Sequence, residues 1–162
     1  ELEDLLRGVS LIRELSARTL DLIMSFGERL STRTVSECLR ARGFAAQFCD
    51  ARELIRTDAQ FGQAEVDFTT TNAQIQAHFA KATDTQIVTG FIGATEKGET
   101  TTLGRGGSDY TASILGAALN APRIDIWTDV DGMMTADPRK VPNAFTMPSI
   151  SYAEAMELTH FG

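Results

Sequence analysis

Cysteine is nearly missing from this 162-residue sequence, where Cys38 and Cys49 are the only two. Two thiols argue against a disulfide scaffold and a cysteine-rich zinc site, and fit a reducing, cytoplasmic setting. No apolar run reaches the roughly 20 residues that a bilayer-spanning helix needs, so no membrane partner is expected. A block of Lys and Arg is lacking too; a stretch such as Arg40 and Arg42, either side of Ala41, has just two arginines. With a formal net charge of -7, no nucleic-acid face is expected. The two histidines, His78 and His160, have no ligand-like spacing and read as structural, and the single tryptophan, Trp127, reads as core. What remains is 43% hydrophobic and 23% charged, the make-up of one ordinary globular domain.

Along the chain, helix-like and strand-like segments alternate. Apolar residues at Leu2, Leu5, Leu6, Val9, Leu11, Ile12 and Leu15 predict a first helix. "LDLIMSFG" (20–27) is short, largely apolar and ends at glycine, which predicts a buried strand. Ser31 then caps a helix through "TRTVSECLRARG", ended by Gly43. "FAAQFCD" reads as a strand, the stretch 51–67 as irregular with "TDAQFGQAEVD" (57–67) a surface excursion, "TTTNAQIQAHFAKA" as a helix and "QIVTGFIG" as one buried strand. "SDYTASILGAALN" is a helix closed by Asn120 and Pro122, "RIDIWTDV" a strand, and a loop with Pro138, Pro142 and Pro148 follows. Ser151 and Glu154 form a capping box for a last helix. The alternation predicts an α/β fold with a mostly parallel sheet covered by helices, whose ligands bind where strands lead into helices.

Three segments carry polar residues out of predicted strands: "SFGERLS", "TGFIGATEKGETTTLGRGGSD" and "WTDVDGMMTADPR". Six of the 13 glycines lie between Gly90 and Gly107. Glycine lets backbone approach a ligand, and a helix beginning at Ser108 and Asp109 favours an anion. Arg105 adds a bidentate grip for a carboxylate or phosphate, and the Thr100–Thr102 run beside it tips the reading from a capped turn toward a ligand site. No P-loop is present, because Lys97 is followed by Gly98 and Glu99. Glu28 suits a substrate ammonium or the cap of the next helix. The loop with Asp129, Asp131 and Asp137 lacks the calcium-loop pattern, so it is either a nucleotide-receiving loop or a proline-punctuated surface loop.

Together, "SFGERLST", "FGQAEVDF", "GFIGATEKGETTTLGRGGSDYTA" and "IWTDVDGMMTADPR" closely resemble aspartate kinases of the amino-acid kinase superfamily, in order and over essentially the whole chain. The resemblance implies a three-layer αβα sandwich with a mostly parallel sheet, incomplete at both ends. It implies ATP-dependent phosphorylation of the β-carboxylate of L-aspartate to 4-phospho-L-aspartate, the entry to lysine, threonine and methionine synthesis. Carried over by motif, Glu28, Phe91, Arg105, Gly106, Gly107 and Ser108 are substrate residues, and Asp109 is the catalytic residue that organises the phosphoryl group. Thr128, Asp129, Met134 and Arg139 are nucleotide residues, with Met134 standing where the family often has tyrosine. Mg²⁺ is expected to arrive with ATP, with no metal held by the chain itself. A homo-oligomer, and a fused homoserine dehydrogenase in some members, also follow from the resemblance.

The family's Lys-Phe-Gly-Gly-Thr-Ser motif, its Ala-Lys-Val stretch and its carboxyl-terminal regulatory domains have no counterpart in these residues. The helical pattern starts at Glu1 and the chain stops just after a helix, so we expect a partial catalytic domain, inactive alone. Two other readings stand beside this one: another kinase of the superfamily, or a module that keeps the fold without turnover.

Overall fold

The computed structural model describes residues 1–128 and 131–161. The chain divides into two compact units, Glu1–Ile124 and Asp125–Gly162.

The first unit opens with α1 (Leu2–Ile12) and α2 (Ala17–Ala41). Ser16 caps α2 by accepting the Thr19 amide at 3.1 Å, supplying one of the orphan donors of the first turn. Contrary to the strand expected at 20–27, these residues are helical, and α2 runs unbroken through Ser31. Its buried positions are Asp21, Ser25, Thr32 and Ser36, spaced by four, seven and four on one helical face. The larger apolar residues Leu20, Met24, Leu30 and Val35 stay exposed. Small polar side chains let α2 lie close on the strands, and the hydroxyls of Ser25 and Ser36 are satisfied by the backbone carbonyls of Leu22 and Thr32.

Two small sheets follow. β1 (Ala46–Cys49) and β3 (Thr85–Val88) pair in parallel with Cys49 opposite Val88. β2 (Arg56–Thr57) pairs in parallel with β4 (Ile92–Thr95), and β4 pairs antiparallel with β5 (Thr100–Thr102). α2 packs on β5, β1 and β3, while α3 (Phe68–Phe79) packs on β2 and on α4 (Gly107–Ala118), which in turn touches β4. Helices with parallel and mixed sheets, and no closed barrel among the described residues, bear out the α/β class and agree with an open αβα layering.

The excursion expected at 57–67 lies mostly at the surface, with Thr57 and Ala64 buried. Before it, a short 3₁₀ turn (Ala51–Glu53) folds the chain inward and buries Ala51, Leu54 and Ile55. There Ile55 meets Ile75 of α3, Ile92 of β4 and Ile114 of α4 in the core. Each such isoleucine, removed from water, is worth about 2 kcal/mol. "QIVTGFIG" is two strands in different sheets, broken at Thr89, whose hydroxyl accepts the Ala51 amide at 2.8 Å.

The second unit holds Met134 bridged antiparallel to Thr146, with the Thr135 amide donating to the Phe145 carbonyl at 3.0 Å. Its helix α5 (Tyr152–Phe161) starts at the expected capping box. Glu154 Oε2 accepts the Ser151 amide at 2.8 Å and the Glu154 amide donates back to Ser151 Oγ at 3.3 Å. No strand forms at 123–128, and Trp127 is 93% exposed rather than core. No helix among the described residues is long and apolar enough to cross a membrane.

Candidate active site

β4 and α4 are where the glycines converge. Gly104 and Gly106 both take positive φ, 75° and 73°, so the chain leaving β5 turns sharply before α4 begins. Gly106 is the N-cap and supplies no side-chain cap. The Ser or Asp cap that a plain turn would use is therefore not what the structure builds. The amides of Ser108 and Asp109 open the helix, where unpaired N–H groups and the dipole favour negative charge.

Opposite this helix start lies the "GFIG" segment. A Cβ placed on Gly107 would stand 2.7 Å from Phe91 Cδ2 and 3.2 Å from Phe91 Cα, and one placed on Gly90 would stand 3.1 Å from Ser108 Oγ. The backbones can approach this closely only because both positions are glycine. Phe91 itself has φ +69°, and its peptide is bracketed by the Ile92 amide donating to the Gly90 carbonyl at 2.8 Å. An i to i+2 bond with positive φ at the centre is the rare, strained form of γ-turn.

The structure thus brings together Phe91, Gly107 and Ser108. Arg105, Ser108 and Asp109 are exposed, and no hydrogen bond or ion pair engages their side chains among the described residues. Glu28 does not follow a strand; it is half-buried on α2. No hydrogen bond or ion pair ties its side chain to the β4–α4 cluster or to any other described residue.

The Thr100–Thr102 run does not belong to a ligand site. It forms β5, and all three threonines are buried with their hydroxyls engaged inside. Thr100 accepts from Arg52 Nη1 at 3.1 Å, Thr101 pairs with Thr57 at 2.7 Å, and Thr102 donates to Asp21 Oδ1 at 2.9 Å. Threonine here serves β-propensity and buried hydrogen bonding together.

Beside β1, Asp50 receives the Arg52 guanidinium at 2.6 and 2.9 Å, with Arg29 Nε at 3.8 Å. Burial pushes the Asp50 carboxyl upward, but the Arg52 hydrogen bonds and the two arginine charges outweigh it and hold it below the usual range.

The second unit holds the residues read as nucleotide contacts. Met134 is half-buried in its bridge to Thr146, while Thr128 is exposed in irregular chain. Asp129 lies outside the described residues. Arg139 donates to Asp137 through its amide, Nε and Nη2 at 2.9–3.1 Å, and those bonds hold the Asp137 carboxyl below its ordinary value. A groove of about 1090 Å³ runs past Met134, Asp137, Arg139, Lys140, Glu154 and Glu157.

The amino acid kinase family model matches residues 4–162. The chain belongs to the amino acid kinase family. Lysine-sensitive aspartokinase 3 of Escherichia coli is 44% identical over the whole chain, which spans 38% of that protein. A bifunctional aspartokinase/homoserine dehydrogenase of Buchnera aphidicola is 36% identical, again over the whole chain, and is covered over 20% of its length. The structure of E. coli aspartokinase III in complex with aspartate and ADP superposes with a TM-score of 0.88 at 43% identity, covering 99% of this chain and 37% of that one. The resemblance to aspartokinases and the amino-acid kinase fold are both borne out. The chain therefore spans little more than a third of the first of these relatives.

Two features of the amino acid kinase escaped sequence reasoning. Asp21 is 1% exposed, and its carboxylate accepts from the Gly62 amide, the Thr102 amide and the Thr102 hydroxyl. Thr111, one turn into α4, accepts the Phe91 amide at 3.0 Å and donates to the Gly107 carbonyl at 2.8 Å. Neither carries a motif; a lone polar residue on a helix gives no sign of which distant amide it meets.

Proposed function

We propose that residues 1–162 are part of the catalytic domain of an aspartokinase, which transfers the γ-phosphoryl group of ATP to the β-carboxylate of L-aspartate. One observation carries this reading. Ser108, at an uncapped helix start, lies against Gly90 beside the strained Phe91 turn, and the side chains of Arg105 and Ser108 have no partner among the described residues. Arg105 holds a substrate carboxylate in a fork, the first amides of α4 share its charge, Phe91 walls the pocket, and Glu28 takes the ammonium. Gly106 and Gly107 keep the backbone close. Asp109 organises the phosphoryl group, and Thr128, Asp129, Met134 and Arg139 bind the nucleotide.

The β-carboxylate oxygen attacks the γ-phosphorus in line, the bond to the β–γ bridging oxygen breaks, and ADP leaves with that electron pair. The nucleophile is already ionised at neutral pH, so positioning and charge neutralisation carry the catalysis. Mg²⁺ enters as part of the ATP substrate, held by phosphate oxygens and water. Among the described residues no group of three or more His, Cys, Asp and Glu is placed to hold a metal. On the same reading the product feeds lysine, threonine and methionine synthesis, and the protein works as a cytoplasmic homo-oligomer, in some relatives fused to homoserine dehydrogenase.

The test is ADP release by the full-length protein with ATP, Mg²⁺ and either L-aspartate, L-glutamate, carbamate or a nucleoside monophosphate. Turnover with aspartate at least about tenfold above the others, the lower end of what a single methylene difference supplies, is expected. A preference for any other acceptor, or none, would refute it.

A further inference from the structure

Phe91 is held in a conformation that an L-residue avoids, so something must hold it there. A non-glycine residue at φ +69° is strained, and the strain persists only where the surroundings over-determine it. Three constraints meet on this residue. The Ile92 amide closes the γ-turn on the Gly90 carbonyl, and the Phe91 carbonyl accepts the Leu103 amide at 2.8 Å. The Phe91 amide donates to Thr111 Oγ1 at 3.0 Å. The first two bonds lie within the strand pair β4 and β5. The third reaches across to α4.

Thr111 is 3% exposed. Its one hydroxyl proton goes to the Gly107 carbonyl at 2.8 Å, and one of its lone pairs takes the Phe91 amide. One buried side chain therefore ties the turn carrying Phe91 to the first turn of α4, which carries Ser108. Packing closes the same clasp: the Phe91 ring fills the space beside Gly107 where a Cβ would sit, Gly90 lies against Ser108, and Phe91 packs on the core.

We infer that Thr111 is a positioning residue for the substrate pocket: by joining the Phe91 amide to the Gly107 carbonyl, it fixes the spacing between Phe91 and Ser108, and so the affinity for aspartate. It touches no ligand and acts through those two residues. The inference rests on the reading of Phe91 and Ser108 as aspartate-pocket residues. Nucleotide affinity, carried by residues of the second unit, does not pass through this clasp.

The experiment uses the full-length protein and compares wild type with Thr111→Val, Thr111→Ser and Gly90→Ala. Valine keeps the volume and removes the hydroxyl, whereas serine keeps the hydroxyl. Losing the two buried hydrogen bonds of the hydroxyl is expected to raise KM for aspartate about tenfold in Thr111→Val, with KM for ATP changed less than about twofold. Thr111→Ser is expected to restore the aspartate KM to near wild type. Gly90→Ala presses a methyl group to 3.1 Å from Ser108 without touching Thr111. It is expected to weaken aspartate selectively, and it tests the clasp even if Thr111→Val does not fold. Equal losses for both substrates in either variant, or unchanged aspartate KM in Gly90→Ala, would overturn the inference. Failure of the wild-type protein to use aspartate at all would overturn the pocket reading, and this inference with it; that result is read on wild type alone, before any variant.

Discussion

Cys49 Sγ lies 3.6 Å from His78 Nε2, a distance that invites reading a cysteine nucleophile beside a base. The chemistry goes the other way. Burial pushes the Cys49 thiol up to about 11, and the nearby carboxylates of Glu53 and Asp50 push in the same direction. A nucleophilic cysteine needs the thiolate near neutral pH, and here the charged form is disfavoured both by desolvation and by like charge. His78 is engaged instead with Gln86 Oε1 at 2.9 Å. Cys49 is thus a small core residue, whereas Cys38 is exposed. Peptide mapping after iodoacetamide treatment at pH 8 should find Cys38 alkylated and Cys49 free. Cys49 should react only after denaturant is added. Comparable labelling of both in the native protein would contradict the raised thiol value and reopen the dyad.

Helix α2 is held to the strands chiefly by polar groups, and Asp21 is its anchor. Oδ2 accepts two amides, those of Gly62 and Thr102, and Oδ1 accepts the Thr102 hydroxyl. Asp21→Ala leaves two amides and a hydroxyl without partners and should cost about 3 kcal/mol of stability, measured by denaturant unfolding. Asp21→Asn can turn its carbonyl oxygen to the two amides and donate its NH₂ to the threonine hydroxyl. Its loss should stay near 1 kcal/mol; equal losses in the two variants would show that geometry is not what Asp21 supplies. This arrangement also explains why α2 was illegible at its start. Residues 22–24 form a short apolar run, and periodicity alone cannot separate a buried strand from a helix there. The inward face is the polar one, so the usual rule of apolar-inside points away from the true packing. Elements with an apolar inner stripe or a cap, α3, α4 and α5, were legible, as was β1. The site was legible where backbone chemistry writes itself into sequence. "GFIG" and "GRGGSD" need glycine because two chains nearly touch, and the structure joins them at Gly90, Phe91, Gly107 and Ser108. Thr100–Thr102 misled because a hydroxyl looks the same in sequence whether it faces a ligand or Thr57, Asp21 and Arg52. Thr111 was missed for the converse reason.

At the scale of the whole molecule, the proposed roles divide between its two units. The residues read as contacting aspartate or the phosphoryl group, from Glu28 to Asp109, belong to the unit Glu1–Ile124. Those read as contacting nucleotide, from Thr128 to Arg139, belong to the unit Asp125–Gly162. The partners of the two arginines differ accordingly. Arg105 has no hydrogen-bond or ion-pair partner among the described residues, so its guanidinium is ready for a ligand carboxylate at no cost in broken contacts. Arg139 already holds Asp137 through Nε and Nη2, so a phosphate must share or replace that carboxylate. Arg105→Leu removes a fork-shaped, charge-assisted contact and should raise KM for aspartate by about 10- to 100-fold while leaving KM for ATP within about threefold. Arg139→Leu should act in the opposite sense but more weakly, near tenfold on KM for ATP, because the wild-type contact is offset by the Asp137 pair it disturbs. Since each change strikes a different ligand, the double variant should show the product of the two effects, with coupling below about 0.5 kcal/mol. Steady-state kinetics of the three variants against both substrates decides the matter. If Arg105→Leu and Arg139→Leu each raise both KM values together, the substrates are not handled separately by the two units, and the assignment of these residues must be redrawn.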